Sequence, residues 1–274
     1  MFQEILENVR QKPALVHSIT NYVTVNDCAN ILLACGASPI MADDVAEVEE
    51  ITSICSALTV NIGTLNTRTI DSMLKATKRA NELVHPTVLD PVGAGASTLR
   101  TQTAMRLLRE CRYDVIRGNM SEIKTLYDGS GTTRGVDANV ADAVTEENIE
   151  EMAEIAKAMS AQFSAIVAIT GEIDIVADDK RAYAIRNGNA LMSKITGTGC
   201  MLSCLVAAFC ASNPAQMLAA TASAVAAMGY CGEVGYHKIK ETNGGTSSYR
   251  MYIIDAMSNL TPQQFEEGAK IEVI

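Results

Sequence analysis

Tryptophan is absent from this sequence, and aromatic residues make up only 4% of it. A flat ligand therefore gains little from ring stacking and must be held by methionine and aliphatic walls. Histidine is almost as scarce. His17, His85 and His237 are too scattered for a metal triad and read as packing or surface residues. The eight cysteines (Cys28, Cys35, Cys55, Cys111, Cys200, Cys204, Cys210 and Cys231) include no C-x-x-C pair and no zinc spacing with histidine. They read as reduced core residues, with Cys200 the candidate exception. Basic clusters are missing too: the net charge is −10, so neither nucleic acid nor an anionic membrane is an expected partner. The N-terminal segment carries Glu4 and Glu7 where a signal peptide carries basic residues, and no run is read as a membrane span, so a cytoplasmic location is expected. There is no internal repeat and no Pro- or Ser-rich linker.

What is present is apolar bulk. With 48% apolar residues in 274, the chain can bury an extensive core, and residues 1–274 are expected to form a single domain. Short apolar runs at 14–19, 38–41, 57–62, 87–90, 114–117 and 165–170 alternate with helical patterns at 2–11, 24–35, 45–54, 67–83, 98–111 and 145–160. That alternation predicts an α/β fold of three layers, with a doubly wound, mostly parallel sheet and helices on both faces. Segments 173–178 and 181–186 read as an antiparallel hairpin at the sheet edge, and everything after residue 197 reads as helix. Residues 128–143 form one long loop-like insertion, either a flap near the site or a surface excursion. The alanine-rich run at 215–231 suits close helix packing or a subunit contact, with core packing the preferred reading.

The stretch Ile195-Thr196-Gly197-Thr198-Gly199-Cys200 leads straight into an apolar helix. First-turn N–H groups at such a start lack intrahelical partners and attract anions, glycines let the backbone approach a phosphate, and Thr196 and Thr198 can cap the turn. The stretch is not a Walker A loop, because its only nearby lysine, Lys194, precedes the glycines; it is not a dinucleotide fingerprint, because Leu202 stands where a third glycine is needed. Ligands of open parallel sheets bind off the C-terminal strand ends, which selects Asn21, Met41, Gly63, Asp90 and Arg117. Asp90 and Glu122, each alone readable as a helix cap or surface charge, together with Arg117, Asn119 and Thr170 suit a Mg-nucleotide, since Mg²⁺ takes hard oxygen ligands and cations offset phosphate charge.

The ordered set Thr20-Asn21, Pro39 to Asp43, Asn61-Ile62-Gly63, Asp90 to Gly93, Arg117-Gly118-Asn119 with Glu122, Thr170-Gly171 and Thr196 to Cys200 resembles the hydroxyethylthiazole kinase family of the ribokinase-like superfamily, over nearly the whole chain. The resemblance implies ATP-dependent phosphorylation of the primary hydroxyl of 4-methyl-5-(2-hydroxyethyl)thiazole, a thiamine salvage step. It also implies Mg²⁺ and a homotrimer with thiazole sites at subunit interfaces. By position it makes Met41 and Gly197 thiazole contacts with Asn21 lining the same pocket, Arg117 and Thr170 ATP contacts, and Asp90 and Glu122 organisers of Mg²⁺ supported by Asn119. Gly197, Thr198 and Gly199 become the anion hole. Most ribokinase-like enzymes place Asp where this chain has Cys200, so Cys200 either takes the proton of the attacking hydroxyl or only orients it. A related kinase acting on hydroxymethylpyrimidine or another small alcohol, a nucleotide-binding protein without turnover, and a thiol hydrolase using Cys200 are the competing readings.

Overall fold

Apolar segments of about five residues, short enough for strands and bounded by glycine or acidic turns, become the sheet. The computed structural model describes residues 1–128 and 144–274, so the insertion expected at 128–143 lies, Asp128 apart, outside the described residues. The order is α1 (Phe2–Gln11), β1 (Leu15–Ile19), α2 (Val25–Cys35), β2 (Ser38–Ile40), α3 (Val48–Ile54), β3 (Ala57–Asn61), α4 (Thr67–Glu82), β4 (Thr87–Asp90), α5 (Thr98–Glu110), β5 (Val115–Asn119) and α6 (Met120–Asp128). After the gap come α7 (Ile149–Phe163), β6 (Ile166–Thr170), β7 (Asp174–Ala177), β8 (Ala182–Ile185), α8 (Thr198–Ser212), α9 (Met217–Thr242), α10 (Thr246–Asn259), α11 (Pro262–Gly268) and β9 (Ile271–Val273).

Among the described residues the strands form one sheet in the order β2-β1-β3-β4-β5-β6-β7-β8-β9. Pairings from β2 through β6 are parallel, and those from β6 through β9 are antiparallel. β3 and β4 are buried at every position, as parallel strands covered on both faces must be. One apolar core lies between the sheet and α1, α2, α8, α9, α10 and α11; a second lies between the other face and α3 to α7. The expected three-layer α/β architecture is therefore the observed one.

Several expected boundaries move, each for a local reason. β5 continues to Asn119 because it pairs with β6 as far as Asn119 and Thr170, so Arg117 lies inside a strand instead of ending it. α3 starts at Val48 rather than Val45, because Asp44 folds back to accept the Ala46 N–H at 2.9 Å. α7 starts at Ile149 rather than Thr145, since Asn148 accepts the Thr145 N–H at 2.7 Å in a turn. The C-terminal region is not all helix: β9 pairs antiparallel with β8. The helical stretch Pro214–Thr242 is also long and apolar enough to cross a membrane, contrary to the sequence expectation, yet 78% of its most apolar window is buried in the fold. Its small residues serve close packing: a Cβ on Gly229 would lie 2.6 Å from the Asn187 carbonyl oxygen.

Candidate active site

Side chains alternate across a strand, and that period assembles the site. In β1, β3, β4, β5 and β6 the residues two apart put Ser18, Asn61, Asp90, Arg117 and Thr170 on the face covered by α8, at the C-terminal edge. Register places Asn61 directly beside Asp90, and the α8 start lies against both.

The glycine turn forms as its sequence predicts, with one correction. Gly197 precedes α8 in a left-handed conformation (φ 94°), and no side chain caps the helix, so neither Thr196 nor Thr198 does the capping expected of it. The first-turn N–H groups are left to a ligand. Glycine is needed at two points here: a Cβ on Gly197 would stand 2.7 Å from the Thr24 methyl, and one on Gly199 would stand 2.5 Å from an Arg117 guanidinium nitrogen.

Arg117 lies beneath this turn with its side chain only 12% exposed, its Nη2 donating to Thr170 Oγ1 at 2.6 Å and its Nη1 3.6 Å from Asp90 Oδ1. Asp90 is fully buried; its Oδ2 accepts from Asn61 Nδ2 and Ser203 Oγ, both at 2.8 Å, while Oδ1 has no hydrogen-bond partner. Burial raises its pKa, and Arg117, Ser203 and Asn61 work against that rise. Glu122 is the third residue after Asn119, and the two form a reciprocal cap: Asn119 Oδ1 accepts the Glu122 N–H and Glu122 Oε2 accepts the Asn119 N–H, each at 2.9 Å. Its Oε1 accepts the Gly93 N–H at 2.8 Å. The capping role considered for Glu122 is therefore the one its hydrogen bonds show. Burial, then the charge of Asp90, pushes its carboxyl up to about 7.

Two cavities flank Asp90, one lined by its ion-pair partner Arg117 and the other by its hydrogen-bond partner Asn61. The larger, about 940 Å³, is lined by Arg117, Thr170, Thr198 and Gly199 at one end and by Met192, Val225 and Met228 at the other. The smaller, about 110 Å³, is lined by Ser18, Thr20, Met41, Asn61 and Met73 among others. Met41 lines the smaller cavity. Asn21 is buried, is not among the lining residues, and turns its amide to Asn61 and Cys200. Gly197 packs on Thr24 and is likewise absent from the lining of the smaller cavity. Cys200 Sγ lies 3.2 Å from Asn21 Nδ2 and 3.3 Å from Asn61 Nδ2. Burial, then the charge of Asp90, pushes its thiol up to about 11. Ser203 and Asn61 went unassigned in the sequence, although the two-residue strand period points Asn61 at the same face as Asp90. Among the described residues no three His, Cys, Asp or Glu side chains cluster to hold a metal directly.

A sheet of this order with a glycine-led helix covering the strand ends defines a ribokinase-like α/β protein. A structure of Staphylococcus aureus pyridoxal kinase in complex with AMP-PCP and pyridoxal has the same fold, with TM-score 0.58 and 14% identity over 96% of this chain and 99% of that one. The chain belongs to the hydroxyethylthiazole kinase family, whose pattern it matches over residues 6–263. It is 58% identical over 272 residues to a hydroxyethylthiazole kinase of Clostridium acetobutylicum (99% of each chain), and 47% identical over 266 residues to one of Clostridium tetani (97% and 95%). The solved hydroxyethylthiazole kinase of Pyrococcus horikoshii superimposes with TM-score 0.87 at 36% identity, covering 100% of this chain and 98% of that one.

Proposed function

We propose that the protein is a cytoplasmic kinase that moves the γ-phosphoryl group of ATP to the primary hydroxyl of 4-methyl-5-(2-hydroxyethyl)thiazole. The observation that carries this reading is a nucleotide-sized cleft at an uncapped helix start, with a cavity fit only for a small ring on the other side of the Asn61–Asp90–Arg117 row. The triphosphate end lies by Arg117, Thr170 and the N–H groups of Thr198 and Gly199, and the alcohol reaches them from the Met41 side. Phosphoryl transfer needs alignment and charge neutralisation more than covalent chemistry, which is what this set of donors supplies.

Asp90 and Glu122 fit Mg²⁺: Asp90 Oδ1 accepts no hydrogen bond, and hard carboxylate oxygens suit this ion. When bound, the ion would supply positive charge that neutralises phosphate oxygens. Glu122 must lose its proton to take part, so the Mg²⁺ concentration for half-maximal rate is expected to rise by about tenfold for each pH unit below 7. Magnesium titrations at pH 8, 7 and 6 check this, a pH-independent requirement counting against Glu122. The same raised pKa acts oppositely on folding: its stabilising contribution is full below the ordinary value of 4.5 and is lost as pH rises through 7.

A thiol raised to about 11 is protonated at neutral pH, which favours Cys200 as an orienting group over a base. Cys200→Ser is accordingly expected to keep kcat within about tenfold, with no tenfold-per-unit rise in the wild-type rate between pH 7 and 9. Collapse of the Ser variant with substrate affinity intact contradicts it.

A homotrimer with interfacial thiazole sites is part of the same proposal. Its support is the rim of the smaller cavity, where Tyr22 is 79% exposed and the adjacent Val23 56%. Light scattering is expected to give about three times the 29.2 kDa chain mass, and Tyr22→Glu to lower both that mass and thiazole affinity. The deciding assay for the activity is ADP release with and without hydroxyethylthiazole, then with hydroxymethylpyrimidine. Equal release with and without the thiazole refutes the assignment; preference for the pyrimidine reassigns the substrate.

A further inference from the structure

The amides of Asn21 and Asn61 have no rotational ambiguity. Asn61 is 1% exposed, and its Oδ1 accepts the Gly63 backbone N–H at 2.9 Å; Asn21 is 4% exposed, and its Oδ1 accepts the Val23 backbone N–H at 3.1 Å. A backbone N–H only donates, so each oxygen is identified and each NH₂ end must face the other way. Asn21 Nδ2 then gives one hydrogen to Asn61 Oδ1 at 3.1 Å and the other to Cys200 Sγ. Asn61 Nδ2 gives one to Asp90 Oδ2 at 2.8 Å and the other to the same sulfur. Every hydrogen of both NH₂ groups has one acceptor. A neutral thiol has two lone pairs, and two N–H donors face this one.

We infer that the side-chain amides of Asn21 and Asn61 are positioning residues that clamp the Cys200 sulfur, hold the start of α8 in register with Asp90, and keep the thiol from accepting the substrate proton. Asn21 thereby acts behind the alcohol cavity, through Cys200, rather than as a wall of it. The clamp joins three elements that lie far apart in sequence: the β1–α2 turn, the end of β3 and the first turn of α8. Loosening it at Asn21, which neither lines a cavity nor bonds Asp90, displaces the hydroxyl relative to the anion hole, so kcat falls while the KM for ATP stays; Asn61 also lines the smaller cavity and donates to Asp90, and its loss adds those effects.

This inference rests on the kinase reading for its rate effects only; the state of the sulfur is measured separately. Asn61→Ala and Asn21→Ala are each made in wild type and in a Cys200→Ala background. In wild type each is expected to lower kcat by about tenfold or more with the KM for ATP within about twofold; in the Cys200→Ala background the loss shrinks to less than about threefold for Asn21→Ala, and shrinks less for Asn61→Ala, which also gives up its bond to Asp90. The Cys200 S–H stretch, isolated as the Raman difference between each protein and its Cys200→Ala counterpart, is expected to shift in both amide variants. Equal losses in the two backgrounds, or an unmoved S–H band, overturn the clamp. If Asn61→Ala does not fold, Asn21→Ala decides by the same two readouts. A wild-type protein that transfers no phosphate refutes the kinase reading instead, while the S–H band still decides whether the amides hold the sulfur.

Discussion

Gly197→Ala is expected to lower kcat by about 10²–10³-fold, the range typical of a lost oxyanion-hole donor. Two effects combine. At φ 94° an L side chain is strained whatever its surroundings, and the new Cβ also meets the Thr24 methyl at 2.7 Å. Relief of either rotates the first turn of α8, so the N–H groups of Thr198 and Gly199 no longer point at the cleft. Left-handed strain of this kind costs on the order of 1–3 kcal/mol, or about 5 °C in Tm for a chain of this size. Thr24→Ser removes the obstructing methyl but leaves the backbone strain, so Gly197→Ala/Thr24→Ser is expected to recover part of the rate and little of the Tm. Steady-state kinetics and thermal melts of the three variants test this. Unchanged kcat in Gly197→Ala would mean that the helix start does not face the transferred group.

The same turn shows how far local sequence carries. Gly197 is legible because its left-handed backbone favours glycine, and Gly199 because a Cβ there would press on the Arg117 guanidinium; the alternation of apolar strands with helices dictates a sheet covered on both faces. Long-range register is less legible. Asn21 and Met41 both follow strands that end at the rim, yet one turns inward to Cys200 and the other faces the cavity; that difference depends on α8 packing against β1 and β3, contacts between residues some 180 positions apart in the case of Asn21 and Cys200. Glu122 was readable as a cap or a metal organiser; the cap is formed, and the Gly93 N–H, which no local pattern announces, brings the loop after β4 to the same carboxylate. β9 is three residues long and too short for a periodic signal, and its existence depends on the free edge of β8. The length of α9 follows from partners that bury it, not from a membrane.

Arg117 is the residue whose loss should reach furthest. It pairs with Asp90, contacts Thr170 and underlies Gly199, so charge, cleft wall and helix start all depend on it. Arg117→Ala leaves a fully buried carboxylate with hydrogen bonds from Asn61 and Ser203 but without its guanidinium. Removing one partner of a buried pair costs about 3–5 kcal/mol. The attraction that opposes the burial-driven rise in the Asp90 pKa also disappears, which favours the protonated acid and weakens any hold on Mg²⁺. A fall in kcat of about 10³-fold is expected, with Arg117→Lys falling less because it keeps the charge but not the fork. Asp90→Asn in the Arg117→Ala background separates the two consequences. With no charge left to strand, urea unfolding should return most of the lost stability, while activity stays absent. A double variant as unstable as Arg117→Ala alone would show that the guanidinium supports the fold through Thr170 and Gly199 rather than through Asp90.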